Sequence, residues 1–438
     1  MILKGNQRAG GRQMALHLLN GDQNEHVTVH EVSGFVADDV LGALNEAYAI
    51  SKATKCKQFM YSLSLNPPSD KSVPVEIFEE TLKRVEKKLG LEDQPRVVVF
   101  HEKEGRRHAH CVWSRINTDE MKAINISYDH SKLNALSKSI FLENGWALPK
   151  GFKDKNYKNP LNYSRGEWQQ AMRTGQNPKT IKAALQESWA ISSCKTGFEY
   201  ALSQRGYYLA RGDRRGFVAV DVYGEVYSLT RQLAGVKKKD LEMRLGKAEK
   251  LPPVAEVKDK ITNKLSDVFQ NFLDEQNKGF KKAMKPLLEV KRDMTKQHLI
   301  DRAAQKAYQE KRWNEEESKR SARIRRGFKG IWDKINGRYW KFRKRNEQET
   351  WKSFQRDRQE REELISTQLN QRQNLQMQLN LLQTKHETER QNLIRDLSHM
   401  ADIQENKDKN AEPEPQKSQD HQINKGFDNP DIDMEPEI

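Results

Sequence analysis

The stretch PRVVVFHEKEGRRHAHCVWSRI, residues 95–116, decides how the N-terminal part of the chain folds. Two runs with strand character, PRVVVFH and HAHCVWSRI, flank six polar residues that include Gly105. β-Branched and aromatic residues favour strands, and a short polar segment containing glycine favours a turn between them. The stretch therefore predicts a β-hairpin in which His101 lies across the ladder from His108.

Three histidines lie on this predicted hairpin. Because His108 and His110 are two residues apart on one strand, their side chains point to the same face, and strand pairing brings His101 beside them. Three imidazoles that converge from paired strands suit a divalent transition metal or magnesium, with positions left open for substrate oxygens. The alternative is a surface hairpin whose histidines occur by chance or pair with Glu102 and Glu104. The third histidine at hairpin spacing favours the metal site.

Composition favours a polyanionic partner and several separate folded regions. The 438 residues include 77 Lys or Arg and 62 Asp or Glu, a net charge of +15 at pH 7. Such a charge favours binding to nucleic acid or another polyanion. Only 35% of residues are hydrophobic while 32% are charged, too few apolar residues for one core over the whole length.

Neither a membrane span nor a disulfide framework is predicted. No apolar run is long enough to cross a bilayer, and the first residues lack the apolar stretch of a secretion signal, so we expect a cytoplasmic protein. Cys56, Cys111 and Cys194 are far apart and form no CxxC pair, which excludes a zinc ribbon. Any metal is then held by other residues.

Residues 1–163 are predicted to form an α+β domain. Besides the hairpin, strands are expected at 26–32 and 60–65. A helix is expected from Val75 to Leu89, where apolar residues recur every three to four positions and Gly90 follows as a left-handed stop. Strands and helices in this order predict an antiparallel sheet with helices on one side.

The rest of the chain is predicted to contain three further regions. Residues 164–250 form a small α+β domain with a three-stranded meander in 207–229. Residues 256–400 have almost no Gly or Pro and read as a basic, extended helical region. Its leucines form an interrupted seam with His386 in the gap, which weakens a coiled-coil assignment. Residues 401–438 read as a disordered acidic tail.

Several basic groups are candidate DNA contacts. Arg106 and Arg107 could hold phosphates beside the metal hairpin or could solvate its turn. Arg214 and Arg215 could grip the DNA backbone or could occupy an exposed hairpin tip. In 311–346, fourteen Lys or Arg face four acids with aromatic residues interleaved, a pattern typical of single-stranded nucleic acid binding or of an amphipathic helix that packs against a partner.

The three histidines, spaced His, six residues, His, one residue, His, resemble motif III of MobA/VirD-type relaxases, the mobilisation nucleases of plasmids. The resemblance covers roughly residues 1–163. It implies the HUH endonuclease fold, a bound Mg²⁺ or Mn²⁺, and nicking of one strand at an origin of transfer with a covalent 5′-phosphate adduct. It also implies single-stranded and supercoiled plasmid DNA as partners, together with relaxosome accessory proteins, a type IV secretion coupling protein and transfer of the protein with the DNA.

The nucleophile departs from the common relaxase pattern. Most relaxases carry a tyrosine in an N-terminal helix, but residues 10–20 contain none and His17 stands in its place. Some mobilisation relaxases use a histidine there, with an acidic residue of motif III nearby, and Glu104 occupies that position. The alternative for His17 is a helix residue tucked against the sheet. Tyr61 is the next candidate, although it could be an ordinary sheet aromatic.

Two other functions stay open at the level of sequence. One is a rolling-circle replication initiator or transposase of the same superfamily, which usually carries its tyrosine on a helix after the histidines. The other is a basic accessory protein that binds DNA without cutting it and whose histidines are structural.

Overall fold

The computed structural model describes residues 1–21, 24–154, 157, 159–213, 216–264, 267–325 and 327–411. The chain divides into two compact units. The first combines Met1–Asn162 with Asn271–Glu389, and the second is built around Tyr163–Gln270.

The first unit begins with an α+β domain, as predicted. Its elements in chain order are β1 (Ile2–Arg8), α1 (Gly11–Leu18), β2 (His26–Ser33), α2 (Val40–Ser51), β3 (Met60–Asn66), α3 (Val75–Leu89), β4 (Arg96–Lys103), β5 (Arg106–Ser114), β6 (Ile116–Asn117), β7 (Lys122–Ala123), α4 (Asp129–Glu143) and α5 (Lys150–Lys153).

Five of these strands form one antiparallel sheet in the order β1-β3-β5-β4-β2. The prediction of helices on one side of the sheet is wrong, because both faces are covered. Val97 and Val99 of β4 pack with α1 and α2, whereas Val98 and Phe100 pack with α3 and α4. The apolar run in β4 is continuous because each alternate residue meets a different helical layer.

Sequence patterns predicted helix α3 but not strand β1. Helix α3 has the predicted bounds, and Gly90 caps it with φ 72° in the left-handed region. Strand β1 was not predicted. Its alternation of polar residues with Leu3 and Gly5 is weak, but Leu3 is buried against β3 and Gly5 lies directly over the Tyr61 hydroxyl.

The second unit contains the predicted meander, a three-stranded sheet in the order β10-β9-β8. Arg214 and Arg215, which follow β8 and precede β9 in the sequence, lie outside the described residues. The elements are α6 (Arg165–Arg173), α7 (Pro178–Ile191), α8 (Lys195–Ser203), β8 (Tyr207–Arg211), β9 (Phe217–Asp221), β10 (Val226–Ser228), α9 (Leu229–Gln232), α10 (Lys238–Leu245), a 3-10 turn (Ala248–Lys250) and α11 (Val254–Lys264).

The long helices are α12 (Asp267–Ala322), α13 (Phe328–Ile335) and α14 (Arg338–Ala411). Helices α12 and α14 run antiparallel, because contacts between them join later residues of one to earlier residues of the other: Phe280 with His386, His298 with Gln371, Arg323 with Glu349. His386, the gap in the leucine seam, stacks on Phe280 with ring centroids 4.0 Å apart.

Helix α14 continues past residue 401, where the disordered tail was expected to begin, and residues 412–438 of that tail lie outside the described residues. Among the helices that the structure describes, none combines the length and apolar character needed to cross a bilayer.

Candidate metal centre

Strands β4 and β5 form the predicted hairpin with His101 opposite His108. The ladder extends further than expected, to the pair Lys103 and Arg106, so the turn has two residues rather than six. Glu104 and Gly105 occupy it with φ 55° and 71°. Two left-handed residues match the twist of a hairpin, and glycine adopts this conformation without strain.

The three hairpin histidines converge on one face of the sheet. Ring centroids are 5.4 Å apart for His101 and His108, 4.6 Å for His101 and His110, and 5.2 Å for His108 and His110. One ligand nitrogen from each residue lies within 4.8 Å of the others. This separation allows all three imidazoles to reach one ion.

A backbone carbonyl orients one of these imidazoles. The His101 Nε2 donates a hydrogen bond to the Leu18 carbonyl oxygen over 2.6 Å. With its proton on Nε2, His101 presents the Nδ1 lone pair as the ligand atom. Metal-binding histidines are usually held by such a partner on their second nitrogen. The last turn of α1 therefore sets the tautomer of a proposed ligand.

Burial keeps the triad neutral. It lowers the pKa of His108 to about 4 and that of His110 to about 3, and the neighbouring imidazoles add to both shifts. Burial also lowers the pKa of His101, partly offset by the Leu18 carbonyl. Neutral imidazoles have a free lone pair for an ion at physiological pH. The chemistry of the donor set thus fits a divalent metal.

His17 lies beside the triad. It is exposed in the last turn of α1, and its ring centroid is 5.8 Å from that of His110. Helix α1 reaches this position because Gly11 packs on α2, where a Cβ would lie 2.4 Å from the Leu44 carbonyl oxygen. His17 is therefore exposed at the edge of the triad and is not tucked against the sheet.

The structure does not bring Tyr61 to this site. Tyr61 pairs with Trp113 across β3 and β5, on the face opposite that of His110. Its side chain is fully buried, and its hydroxyl donates to Asp129 Oδ2 over 3.0 Å. Burial and the Asp129 carboxylate raise the pKa of Tyr61 far above its usual value. This environment opposes a role as nucleophile.

Glu104 is also distant from His17. It sits in the hairpin turn, where its carboxylate is 3.9 Å from Arg106. The strand from Arg106 to His110 spans about 13 Å at roughly 3.3 Å per residue, and His17 contacts the His110 end. The contacts of Glu104 are with Arg106 and with Glu25, which accepts a hydrogen bond from the Glu104 backbone N–H, so a role of Glu104 in orienting His17 stays a prediction.

The two hairpin arginines have different environments. Arg106 is exposed. Arg107 is buried, because it pairs across the ladder with Glu102 on the face opposite the histidines. Its guanidinium donates to Glu362 of α14 over 2.8 Å and lies 5.3 Å from the Phe100 ring. Arg107 therefore holds protein groups together and is not exposed to hold phosphate.

Sequence reasoning missed a buried charge cluster on that opposite face. Arg302 of α12 forms two hydrogen bonds to the Glu102 carboxylate, at 3.1 and 2.9 Å, and Arg372 of α14 contacts the same group. Arg372 and Lys291 also pair with Glu25 at 3.0 Å. Burial alone would raise the pKa of Glu102, but the surrounding guanidinium groups outweigh it and lower the pKa to about 2. No local signal could reveal pairs that lie 200 to 270 residues apart.

Residues 17–146 match a family model described as Relaxase, MobA/VirD2-like, nuclease domain. No curated protein and no solved structure matches the chain. The matched segment contains His17 and the three clustered histidines. The family match confirms the prediction of a relaxase nuclease domain in this segment, a family of DNA-nicking enzymes.

Proposed function

We propose that this protein, whose residues 17–146 form a relaxase nuclease domain of the MobA/VirD2-like family, nicks one strand at a plasmid origin of transfer by metal-dependent transesterification and serves conjugative mobilisation. The observation that carries the proposal is the exposed His17 imidazole next to three clustered, neutral histidines. Metal-dependent phosphoryl transfer to a side chain requires a nucleophile next to a group that binds the metal.

His101, His108 and His110 would hold Mg²⁺ or Mn²⁺. A bound divalent ion supplies positive charge that polarises the scissile phosphate and stabilises the charge of the transition state. The protein contributes neutral ligands and a fixed tautomer at His101. Because β4 and β5 are paired along their whole length, the ligands are preorganised on rigid strands.

His17 is the proposed nucleophile. A neutral imidazole nitrogen attacks phosphorus without prior deprotonation, whereas a tyrosine hydroxyl must lose its proton. A P–N bond forms to the 5′ phosphate, the P–O3′ bond breaks, and the 3′ oxygen leaves as a hydroxyl after taking up a proton. Exposed Arg106 is left as the hairpin arginine able to contact flanking phosphates, and Arg214 and Arg215 stay predicted DNA contacts.

The structure gives less support to a replication initiator or transposase with a tyrosine on a later helix. Helix α4 is the first helix after the hairpin, and its Leu133 and Ile140 pack on the face opposite the histidines. Its sequence, DHSKLNALSKSIFLE, contains no tyrosine. A nucleophile on α4 would therefore face away from the triad.

Nicking of a supercoiled plasmid that carries DNA from beside the gene tests the proposal. We expect open circles with Mn²⁺ or Mg²⁺ and none with a chelator. His110→Ala should abolish nicking and weaken Mn²⁺ binding at least tenfold while DNA binding survives, because phosphate contacts elsewhere supply the affinity. His30→Ala is the matched control, since His30 lies on β2 and pairs with Glu79 outside the triad.

Two outcomes would contradict the proposal. Nicking by His110→Ala at the normal rate would remove His110 from the metal site. DNA binding without nicking under any metal would leave the protein as a non-catalytic accessory factor.

A further inference from the structure

The short helix α13, between the two long helices in the chain, buries a polar face and exposes an apolar one. Four large apolar side chains recur at spacings of three and four residues, and all are exposed: Phe328 (92%), Ile331 (57%), Trp332 (63%) and Ile335 (71%). On a helix this spacing places them on one face. They form an apolar stripe that the described part of the chain leaves uncovered.

The opposite face of α13 is held against the chain by polar contacts. Asp333 is buried, and its carboxylate accepts a hydrogen bond from Arg325 Nε over 2.7 Å. Gly330 is buried as well, and a Cβ there would lie 2.3 Å from the Arg325 carbonyl oxygen. The bidentate ion pair and the close backbone approach fix which face points inward. These contacts therefore keep the apolar stripe directed towards solvent.

The surroundings of the stripe are strongly basic. Residues 323–349 contain ten Lys or Arg, at positions 323, 325, 326, 329, 334, 338, 341, 343, 344 and 345, and three acids, Asp333, Glu347 and Glu349. The acids pair with Arg323, Arg325, Arg343 and Arg345, and an excess of positive charge remains. Lys329 and Lys334 are exposed on α13 itself, and Lys341 and Lys344 are exposed on the first turns of α14. The occupant of this surface must therefore tolerate or require a high positive charge.

We propose that the stripe and its basic rim dock on an anionic lipid bilayer surface. An interfacial helix buries apolar side chains at the boundary of headgroups and acyl chains while Lys and Arg contact lipid phosphates. Tryptophan is favoured at that depth, which suits the exposed Trp332, and Trp340 near the start of α14 is exposed as well. The docking is peripheral and needs no spanning segment.

Charge and side-chain shape favour this occupant over two others. A second copy of the chain would bring a like-charged rim against the first, which repels. Single-stranded nucleic acid would use the aromatic rings for stacking, but Ile331 and Ile335 make up half of the stripe and cannot stack with bases. A bilayer buries all four side chains.

The position of the stripe leaves the nuclease domain accessible. Helix α12 continues for about 20 residues from Arg302, which contacts Glu102, to its end at Ala322. At about 1.5 Å per residue this amounts to roughly 30 Å. A docked tip would therefore hold the metal centre away from the bilayer.

Flotation with vesicles tests the proposal on the full chain. The vesicles are phosphatidylcholine alone, or phosphatidylcholine mixed equally with phosphatidylglycerol. The test variant is Ile331→Asp/Ile335→Asp. The matched control is Ile300→Asp, because Ile300 is an equally exposed isoleucine on α12 outside the tip. Circular dichroism checks that both variants keep their helix content.

We expect binding to the phosphatidylglycerol vesicles, at least tenfold weaker binding by the double variant, and unchanged binding by the control. The wild type should show a blue shift of fluorescence on binding that Trp332→Phe reduces. Undiminished vesicle binding by the double variant would overturn the proposal, since any polycation would then suffice. So would a double variant that loses oligo(dT) binding or self-association while the wild type does not bind vesicles.

Discussion

His17 and Tyr61, the two candidate nucleophiles, lie in different surroundings. The His17 imidazole is exposed and next to His110, whereas the Tyr61 hydroxyl is buried and engaged with Asp129. If the triad holds a phosphate as proposed, His17 lies within reach of it, and Tyr61, on the opposite face of the sheet, does not. Chemical reactivity at this site depends on access as much as on residue type.

Acid treatment of the protein–DNA adduct distinguishes a link to His17 from a link to Tyr61. We expect a phosphoramidate on His17, and a P–N bond of this kind hydrolyses in acid whereas phosphotyrosine endures it. His17→Ala should form no adduct. Tyr61→Phe should retain it and lose only about 1 kcal/mol of stability, the usual contribution of one hydrogen bond. Mass mapping of the DNA-linked peptide is the measurement, and an acid-stable adduct on Tyr61 would contradict the assignment.

His26 makes stability depend on pH. Burial, followed by Arg302 and Arg372, lowers the pKa of His26 to about 4, while Glu102 opposes the shift and His298 adds a small decrease. The unfolded chain takes up this proton near pH 6.5, and the folded chain does so only near pH 4. The contribution of neutral His26 is thus complete above pH 6.5 and is lost as the pH falls from 6.5 towards 4.

Replacing His26 with Gln should reduce the loss of stability that accompanies a fall in pH from 6.5 towards 4. The free energy of unfolding is measured by urea denaturation in the presence of a chelator between pH 4.5 and 6. Its slope against pH should be lower in the variant than in the wild type by up to about 1.4 kcal/mol per pH unit, the value for one proton. His30→Gln is the control, because His30 is only partly buried and pairs with Glu79. An unchanged slope in the His26 variant would show that His26 titrates normally in the folded protein.

At the level of secondary-structure elements, the β4–β5 hairpin that carries the three histidines is held from both faces. On one face, α1 supplies the Leu18 carbonyl to His101. On the other, α12 and α14 supply Arg302 and Arg372 to Glu102, the residue next to His101. At the hairpin turn, a Cβ on Gly105 would lie 2.4 Å from the Gln373 backbone nitrogen of α14. The two long helices are thus part of the support of the site.

Breaking this cluster should cost far more than breaking a surface ion pair. Arg372→Met leaves the buried carboxylates of Glu25 and Glu102 short of a partner, which costs about 3–5 kcal/mol. Arg343→Met, which removes an exposed pair with Glu347, should cost less than about 1 kcal/mol. Urea unfolding measures both. Glu102→Gln combined with Arg372→Met should recover part of the loss, and equal effects of the two single changes would refute the cluster's role.

At the scale of the whole molecule, the compact unit that contains the nuclease domain is continuous in structure but not in sequence. The first compact unit joins Met1–Asn162 to Asn271–Glu389, with the second unit inserted between them in the chain. The helices that complete the unit carry Arg302, Arg358 and Arg372, which pair with acids of the α+β domain. The N-terminal segment by itself lacks those partners.

A fragment ending at residue 163 should therefore be less stable than the full chain. Without α12 and α14, Glu25 loses Lys291 and Arg372, and Glu102 loses Arg302 and Arg372. Of the three arginines that lower the pKa of Glu102, only Arg107 remains in the fragment, so this pKa should rise. On warming, we expect the backbone amides of the β4–β5 hairpin to lose their protection from hydrogen exchange at a lower temperature in the fragment than in the full chain. A fragment as protected as the full chain would show that the long helices add no stability to the hairpin.

Local patterns determined much of the fold and the centre of the site. The 3–4 periodicity of α3 and its Gly90 cap predicted that helix to the residue, because both signals lie within one stretch of chain. The spacing of His101, His108 and His110 predicted the triad, because a hairpin converts short sequence separations into cross-strand neighbours. These features depend on contacts between residues close in sequence.

Only the tertiary structure decided the rest. It placed His17 beside the triad and Tyr61 on the opposite face, withdrew Arg107 from solvent, and assembled Glu102 with Arg302 and Arg372. It also turned the apolar stripe of α13 outward through a buried aspartate. Each of these depends on which face of a strand or helix meets a distant segment, and composition, periodicity and motif spacing carry no information about that pairing.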